Sequence, residues 1–355
     1  MSDAARAKVA RRLRGQADAC RALGSPLTGE LLDRAAADVE AGGPVWEVLE
    51  PYAESSSTSA LSLRFAGAVH RLALEGRAPA LAAHYPSTGG RPGPDVGDAF
   101  VATVAEHADE LRRLTAAGVQ TNEVARCAAL IVGFTEIGAR TGQPLILREV
   151  GASAGLNLRW DAYRYSDGRR EWGVESPLVI SSRTSLAELP LAVPPRVLDR
   201  RGCDPAPLDP TNPADLLTLT SYVWPDQEQR LARLRAAAEV AAQVPAEVER
   251  AGAAEWLERE LHPADGVATV VFHSIMRQYL SDEERQRMER AIEHAGAHAS
   301  EAAPLFQLSM EPDIRPGGPW PDHAELRLRS WPGGHDELLA RAGYHGEWVQ
   351  RAGGG

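Results

Sequence analysis

Residues 145–158 read LILREVGASAGLNL. The first six are apolar and β-rich enough to form a buried strand. The GASAG that follows can be heard in two ways. G-x-S-x-G is the strained turn that lifts a hydrolase serine into reach, and a glycine-rich turn after a first strand is also how a nucleotide-binding sheet brings its backbone close to a ligand. The surroundings of the stretch decide between them.

Downstream, strand and helix alternate. PRVLDRRGC (195–203), VATVVFHSI (267–275) and PLFQLSM (304–310) are strand candidates, AELRLRSW (324–331) alternates as an edge or antiparallel strand does, and AEVER (246–250) stands in for a third parallel strand only if the sheet takes one there. Between and after them, 226–243, 253–261, 281–296 and 335–343 carry helical periodicity. That grammar predicts an α/β fold, a Rossmann-like, mostly parallel sheet with helices on both faces and seven strands in all. Upstream, 4–23, 29–40, 59–74, 97–117 and 121–139 repeat apolar residues at i, i+3, i+4, and none of them alternates. The expected division is a helical N-terminal cap domain over 1–143 and a ligand-binding sheet domain over 144–355. Residues 158–183 break the pattern, because aromatics alternate there around a Ser-Asp-Gly turn and predict a β-hairpin where a helix would normally follow the first strand.

Composition narrows the function classes. The 355 residues are 44% hydrophobic and carry a formal net charge of −11, so no basic face for tracking phosphates is expected and nucleic acid is excluded as a partner. No window approaches eighteen apolar residues, and the basic N-terminus lacks an apolar core, which excludes a membrane span and a secretory signal. Cys20, Cys127 and Cys203 are far apart, which fits a reducing cytoplasm and no disulfide framework. No metal motif and no P-loop is present, so the expected partner is a small-molecule substrate; oligomeric state has no signature.

Glu149, Gly151, Ser153 and Gly155 carry a resemblance. LREVGASAGLNL is similar to the first motif of class I S-adenosylmethionine-dependent methyltransferases, a hydrophobic strand followed by acid, x, Gly, x, Gly/Ser/Ala, x, Gly. Over nearly the whole chain, HYP (84–86), QTNEVARCAAL (120–130), EVGASAGLNLRWD (149–161), RGCDPAPLDP (201–210), YVWPDQEQRLARL (222–234), VVFHSIMRQYL (270–280) and MEP (310–312) resemble the bacterial domain-of-unknown-function family 2332. The superfamily implies S-adenosylmethionine as cofactor, with Gly151, Ser153 and Gly155 along its methionine part and Asp204 on the ribose hydroxyls. The acid expected after the third strand has only Glu255 as a stand-in. The family implies a helical region joined to a methyltransferase-like sheet, and no reaction.

The candidate residues follow. Glu149, Asn157, Asn122 and Glu123 join the turn as cofactor-binding candidates, with Arg126 beside them on the first turns of an apolar helix that could press on the sheet's carboxyl edge and exclude water. Thr121 reads as that helix's N-cap. His273, Tyr279 and Glu311 close the late strands where an acceptor would sit, and an imidazole there can take a proton as the alkyl group arrives. His273 reads equally well as a core histidine that tethers the next loop. Asp226 reads as an N-cap and Trp224 as its staple or as an aromatic wall, while His84, Tyr85 and His335 are lid or contact candidates. The expected activity is transfer of a methyl, or of another alkyl arm, to a small acceptor, intramolecular cyclisation included. The alternatives are a serine hydrolase using Ser153 and a non-catalytic protein that binds an adenosyl ligand. A hydrolase elbow needs an oxyanion donor loop upstream of the turn, and none is evident. Ser153 therefore reads first as a small residue beneath a ligand.

Overall fold

In the computed structural model, which describes residues 3–55, 59–314 and 320–352, the chain forms two compact units. One comprises 1–121 with 212–232, the other 122–211 with 233–355.

The first unit is helical. Its helices are α1 (Asp3–Ala22), α2 (Pro26–Ala41), α3 (Pro44–Leu49), α4 (Leu61–Leu74), α5 (Pro79–Ala82), α6 (Val96–Glu106) and α7 (Ala108–Thr115). The single helix expected over 97–117 is broken at His107, where the backbone leaves helical geometry between α6 and α7. Leu13, Leu32, Phe65 and Phe100 sit at the heart of one apolar cluster, with the two phenylalanine rings edge to face at 5.8 Å. Trp224 packs into the same cluster beneath the Arg230 guanidinium. Asp226 does not cap a helix of its own: its carboxylate accepts from Leu27 N at 3.0 Å and from the Ser25 hydroxyl, so it satisfies the first free amide of α2 instead. Tyr85 is no lid residue, being 2% exposed and edge-on to His70 in the core.

The second unit is a sheet between helical layers. It opens with α8 (Cys127–Thr141) and continues through strands β1 (Leu145–Val150), β2 (Arg164–Ser166), β3 (Glu171–Gly173), β4 (Val179–Ser181) and β5 (Val197–Asp204). After α9 (Pro213–Ser221), a helix of the first unit, and α10 (Glu228–Ala241), part of this unit from Arg233 on, come β6 (Glu247–Arg250), α11 (Ala253–Glu260), β7 (Ala268–Ser274), α12 (Asp282–Gly296) and β8 (Leu305–Glu311). Strands β9 (Ala324–Trp331), β10 (His335–Ala342) and β11 (Val349–Arg351) finish the chain. The main sheet runs β11-β10-β9-β8-β7-β1-β5-β6, parallel from β6 to β8 and antiparallel beyond. It has eight strands among the described residues, not the seven expected.

One strand the sequence did not place comes from 335–343, which is not a helix. Gly333 and Gly334 both take positive φ, close a hairpin after Trp331, and feed His335–Ala342 back against β9. A run such as HDELLARAG satisfies helical spacing, but two glycines at a turn and an unpaired neighbouring strand outweigh that propensity. His335 is thereby an exposed strand residue with no helix to start.

Strand β7 is buried along its whole length, as its β-branched apolar run requires for a central parallel strand. Successive side chains face opposite ways. Phe272 meets Phe134 of α8 edge-on at 5.2 Å, and Phe134 stacks on Trp160 at 4.5 Å. Val271 faces the other way, into the cluster made by Trp256 of α11 and Met288 of α12. Helices therefore cover both faces. On the first face α8 comes very close, because a Cβ on Gly133 would lie 2.3 Å from Leu308 Cδ1. Helix α8, expected with the helical segment, belongs to the sheet unit.

The crossover from β1 to β5 holds no α-helix. A six-residue 3-10 stretch, Asn157–Ala162, leads into the expected hairpin, β2 paired with β3 around residues 167–170, and β4 adds a third strand. Tyr163 and Tyr165 anchor it by donating to Leu156 O and Trp160 O, each at 2.6 Å.

Candidate functional site

The chain runs from β1 outward through β5 to β6, then returns to the other side of β1 for β7 and β8. Such a reversal leaves a crevice at the carboxyl ends of the strands on either side of it. In strand order β8, β7, β1, β5, those ends present Glu311, His273, Glu149 and Asp204. Four residues picked from separate stretches of sequence thus share one sheet edge.

The turn after β1 is held shut by its own neighbours. Gly151, Ser153 and Gly155 have φ of 69°, 52° and 65°. Ser153 N donates to Asp204 Oδ2 at 3.0 Å, and Ala154 N and Leu156 N both donate to Asn122 Oδ1 at 3.3 and 3.0 Å. Ala152 N and Gly155 N donate to Cys203 O and Ala152 O. Every amide from Ala152 to Leu156 is therefore engaged within the chain. The turn does not offer a row of amides to an anion, and no α-helix follows to add its dipole. A Cβ on Gly155 would stand 2.8 Å from Val248 Cγ2, so that glycine serves the packing of the turn against β6.

Asp204, expected on a ribose, here also holds the turn: Oδ2 takes Ser153 N, and Oδ1 takes Ala206 N at 2.9 Å. Asn122 does not pair with Thr121 as a helix cap; the side chain that caps the short 3-10 turn before α8 is Glu123, which accepts from Ala125 N at 3.2 Å and lies 3.7 Å from Arg233.

Glu149 is 2% exposed. Cys127 Sγ donates to Asn157 Oδ1 at 3.3 Å, leaving the Asn157 amide NH2 for the Glu149 carboxyl. Burial pushes the Glu149 carboxyl well above the ordinary carboxylate range, the Asn157 hydrogen bond and the charges of Arg159 and Arg126 oppose the rise, and Asp204 adds to it. Its Oε2 has no hydrogen-bond partner among the described residues.

His273 and Glu311 form a pair. His273 Nδ1 lies 2.7 Å from Glu311 Oε1, which also accepts from Met276 N at 3.0 Å and from Arg277 N at 3.4 Å. His273 Nε2 and Glu311 Oε2 are buried with no partner among the described residues. Between them the backbone is bent hard. Ile275 has φ 53°, rare for a β-branched residue, and Arg126 braces the bend by donating to Ser274 O at 3.2 Å and to Tyr344 O at 3.1 Å. The bend lays Met276 over the glycine turn, with its Cβ 3.0 Å from where a Gly151 Cβ would be. Tyr279, at the end of the next 3-10 turn, is 45% exposed, and burial and the Glu311 charge raise its hydroxyl above the usual range while Arg126 opposes the rise. Cys127, Ile275 and Met276 were not singled out by sequence. No residue-type signal marks a strained Ile, and a buried Cys or Met reads as core.

The architecture defines the class of protein: a mixed α/β chain whose large, mostly parallel sheet carries a cluster of acids and one imidazole at its carboxyl edge. The chain belongs to the family described as "Uncharacterized protein conserved in bacteria (DUF2332)", whose model matches residues 10–351. No curated protein and no solved structure matches it. Among the described residues there is no group of three or more His, Cys, Asp or Glu side chains able to hold a metal, and no helix long and apolar enough to cross a membrane.

Proposed function

We propose that the chain binds S-adenosylmethionine at the carboxyl edge beside β1 and transfers a methyl, or another alkyl arm of the cofactor, to a small acceptor. One observation carries the reading. Glu149 Oε2, His273 Nε2 and Glu311 Oε2 are all buried without partners, at the ends of three adjacent parallel strands. Leaving one such group unsatisfied costs about 1–3 kcal/mol, and three together are an expense that a bound ligand offsets.

The chemistry of the edge favours a cation. A dinucleotide needs free amides for its pyrophosphate, and the amides from Ala152 to Leu156 are engaged. Glu149, Asp204 and Glu311 instead suit a ligand with a sulfonium and an amine. The strand order β6-β5-β1-β7-β8, which is third, second, first, fourth, fifth in the succession of main-sheet strands, supports the same reading by likeness of topology. When bound, the cofactor supplies an electrophilic carbon. Glu149 would meet the amine, Gly151 and Ser153 would lie beneath the methionine arm, and Asp204, by its place at the end of β5, would face the ribose. His273 would accept the acceptor's proton at Nε2, a contribution of about 10²-fold or more.

Two observations favour a serine hydrolase instead, the left-handed φ of Ser153 and the His273–Glu311 pair. That elbow, however, uses the amide of the residue after the serine as an oxyanion donor, and Ala154 N is taken by Asn122. Thermal unfolding with S-adenosylmethionine, S-adenosylhomocysteine and NAD separates the readings. The first two should stabilise the protein, by about 2.7 kcal/mol at a hundredfold excess over Kd, and NAD should not. Stabilisation by NAD alone, or by none of the three together with labelling of Ser153 by a fluorophosphonate, would overturn the proposal.

A further inference from the structure

We infer that Glu311 is a positioning residue that fixes His273 as the Nδ1–H tautomer, and that the pair selects an acceptor bearing an O–H or N–H group over a carboxylate. The inference rests on the carboxyl edge being the ligand site.

The tautomer follows from the donors. Glu311 Oε1 already accepts from Met276 N and Arg277 N, and the His273 nitrogen 2.7 Å from it is Nδ1. A carboxylate oxygen surrounded by N–H groups takes a third donor, so Nδ1 carries the hydrogen and Nε2 keeps its lone pair. The backbone amides make the arrangement rigid. Glu311 cannot turn away from His273 without releasing the bend at Ile275, where φ is 53° and where Arg126 holds Ser274 O.

The acceptor class follows from what is left over. His273 Nε2 and Glu311 Oε2 are both buried, both without partners, and both acceptors. They sit on adjacent strands and point to the same face, since His273 pairs in register with Ser309, two residues before Glu311. Two acceptors side by side call for donor hydrogens on the ligand. An amine or hydroxyl has them; a carboxylate has none and meets the charges of the acidic edge. In the transfer, the acceptor lone pair forms the new bond to carbon, the carbon–sulfur bond breaks with its electrons remaining on sulfur, and the acceptor's proton passes to Nε2. The positive charge lost by the sulfonium is then carried by the imidazole until the proton leaves to water.

The test is nitrogen NMR of the full chain labelled with ¹⁵N-histidine, above neutral pH, with the His273 signals assigned by their loss in His273→Asn. The wild type should show Nδ1 protonated. Glu311→Gln, whose amide oxygen still accepts, should keep that tautomer, and Glu311→Ala should move the proton to Nε2. Nε2 protonation in the wild type, or no change in Glu311→Ala, would overturn the positioning role. If Glu311→Ala does not fold, the wild type and Glu311→Gln still decide. Phenol, benzylamine and benzoate are then titrated with S-adenosylhomocysteine present: phenol or benzylamine should shift the Nε2 resonance. A shift with benzoate alone, or with none of the three, would overturn the acceptor class. The tautomer is read without cofactor, so failure of S-adenosylhomocysteine to bind would sink the transferase reading while leaving the positioning result standing.

Discussion

The two buried histidines among the described residues are used in opposite ways. His70, in the helical unit, is 2% exposed and both ring nitrogens are engaged, Nδ1 with Ser221 O at 3.1 Å and Nε2 with Ser87 Oγ at 2.8 Å. It is a strut between α4, the segment after α5 and the end of α9. His273, in the sheet unit, is as deeply buried and has a partner on one side only. The carboxyls show the same contrast. In the helical unit Asp38 accepts from Val45 N, and Asp226 accepts from Leu27 N and the Ser25 hydroxyl. The buried carboxyl oxygens without partners among the described residues, on Glu149, Asp161 and Glu311, all lie in the sheet unit. At these residues the helical unit uses buried polarity to close its structure, while Glu149, His273 and Glu311 leave it open at a strand edge, the kind of place where a fold can give up stability for a ligand.

The comparison can be broken by substitution. Gly155→Val should have the largest effect, roughly 4 kcal/mol of lost stability, because it forces a β-branched residue to φ 65° and drives a Cβ to within 2.8 Å of Val248. Loss of ligand binding in that variant would accompany misfolding, and circular dichroism with chemical denaturation would show it. A variant that keeps full stability would contradict the packing role given to this glycine.

His70→Ala should cost roughly 3 kcal/mol through a cavity and two widowed hydrogen-bond partners. Its pH behaviour is a sharper check. Burial lowers the His70 pKa from 6.5 to about 4, so the unfolded chain binds the proton more readily than the folded one. The stability this histidine contributes is complete above pH 6.5 and falls by roughly 3 kcal/mol as pH drops to about 4. Hydrogen exchange of α4 and α9 should accelerate across that window in the wild type and lose the slope in His70→Leu.

Glu149→Gln acts with the opposite sign. A carboxyl raised by burial holds its proton more tightly when folded, so the wild type is progressively destabilised as pH rises above the range where the unfolded carboxyl titrates. The amide is exempt. Glu149→Gln should therefore gain on the wild type from pH 5 upward, by no more than about 1.4 kcal/mol per pH unit, in urea titrations at several pH values. Parallel pH profiles for the two proteins would show that Glu149 is not the strained group described.

Much of this was legible in the sequence, for reasons that differ by element. Strands β1, β7 and β8 announce themselves because central parallel strands are apolar on both faces, and their ends deliver Glu149, His273 and Glu311 to one edge by topology alone. The hairpin after the turn was equally plain in its alternating aromatics. What was not legible depends on partners distant in sequence. Strand β10 took its form from the glycine turn and the neighbouring β9, against its own helical spacing. Asp226 reads as a cap for the helix it precedes, yet caps α2, some 200 residues earlier. The engagement of the turn amides by Asn122 and Asp204 has no local signal, since each belongs to a different segment. The Glu311–His273 hydrogen bond joins residues 38 apart that only adjacent strands bring together.

The central claim is that the open polar groups at the carboxyl edge are ligand contacts, and calorimetric titration of S-adenosylhomocysteine into the wild type and Glu149→Gln tests it most directly. The account predicts binding to the wild type and an affinity at least tenfold weaker, about 1.4 kcal/mol, in a variant that is as stable or more so at neutral pH. No binding to the wild type, or equal binding to both, would contradict it.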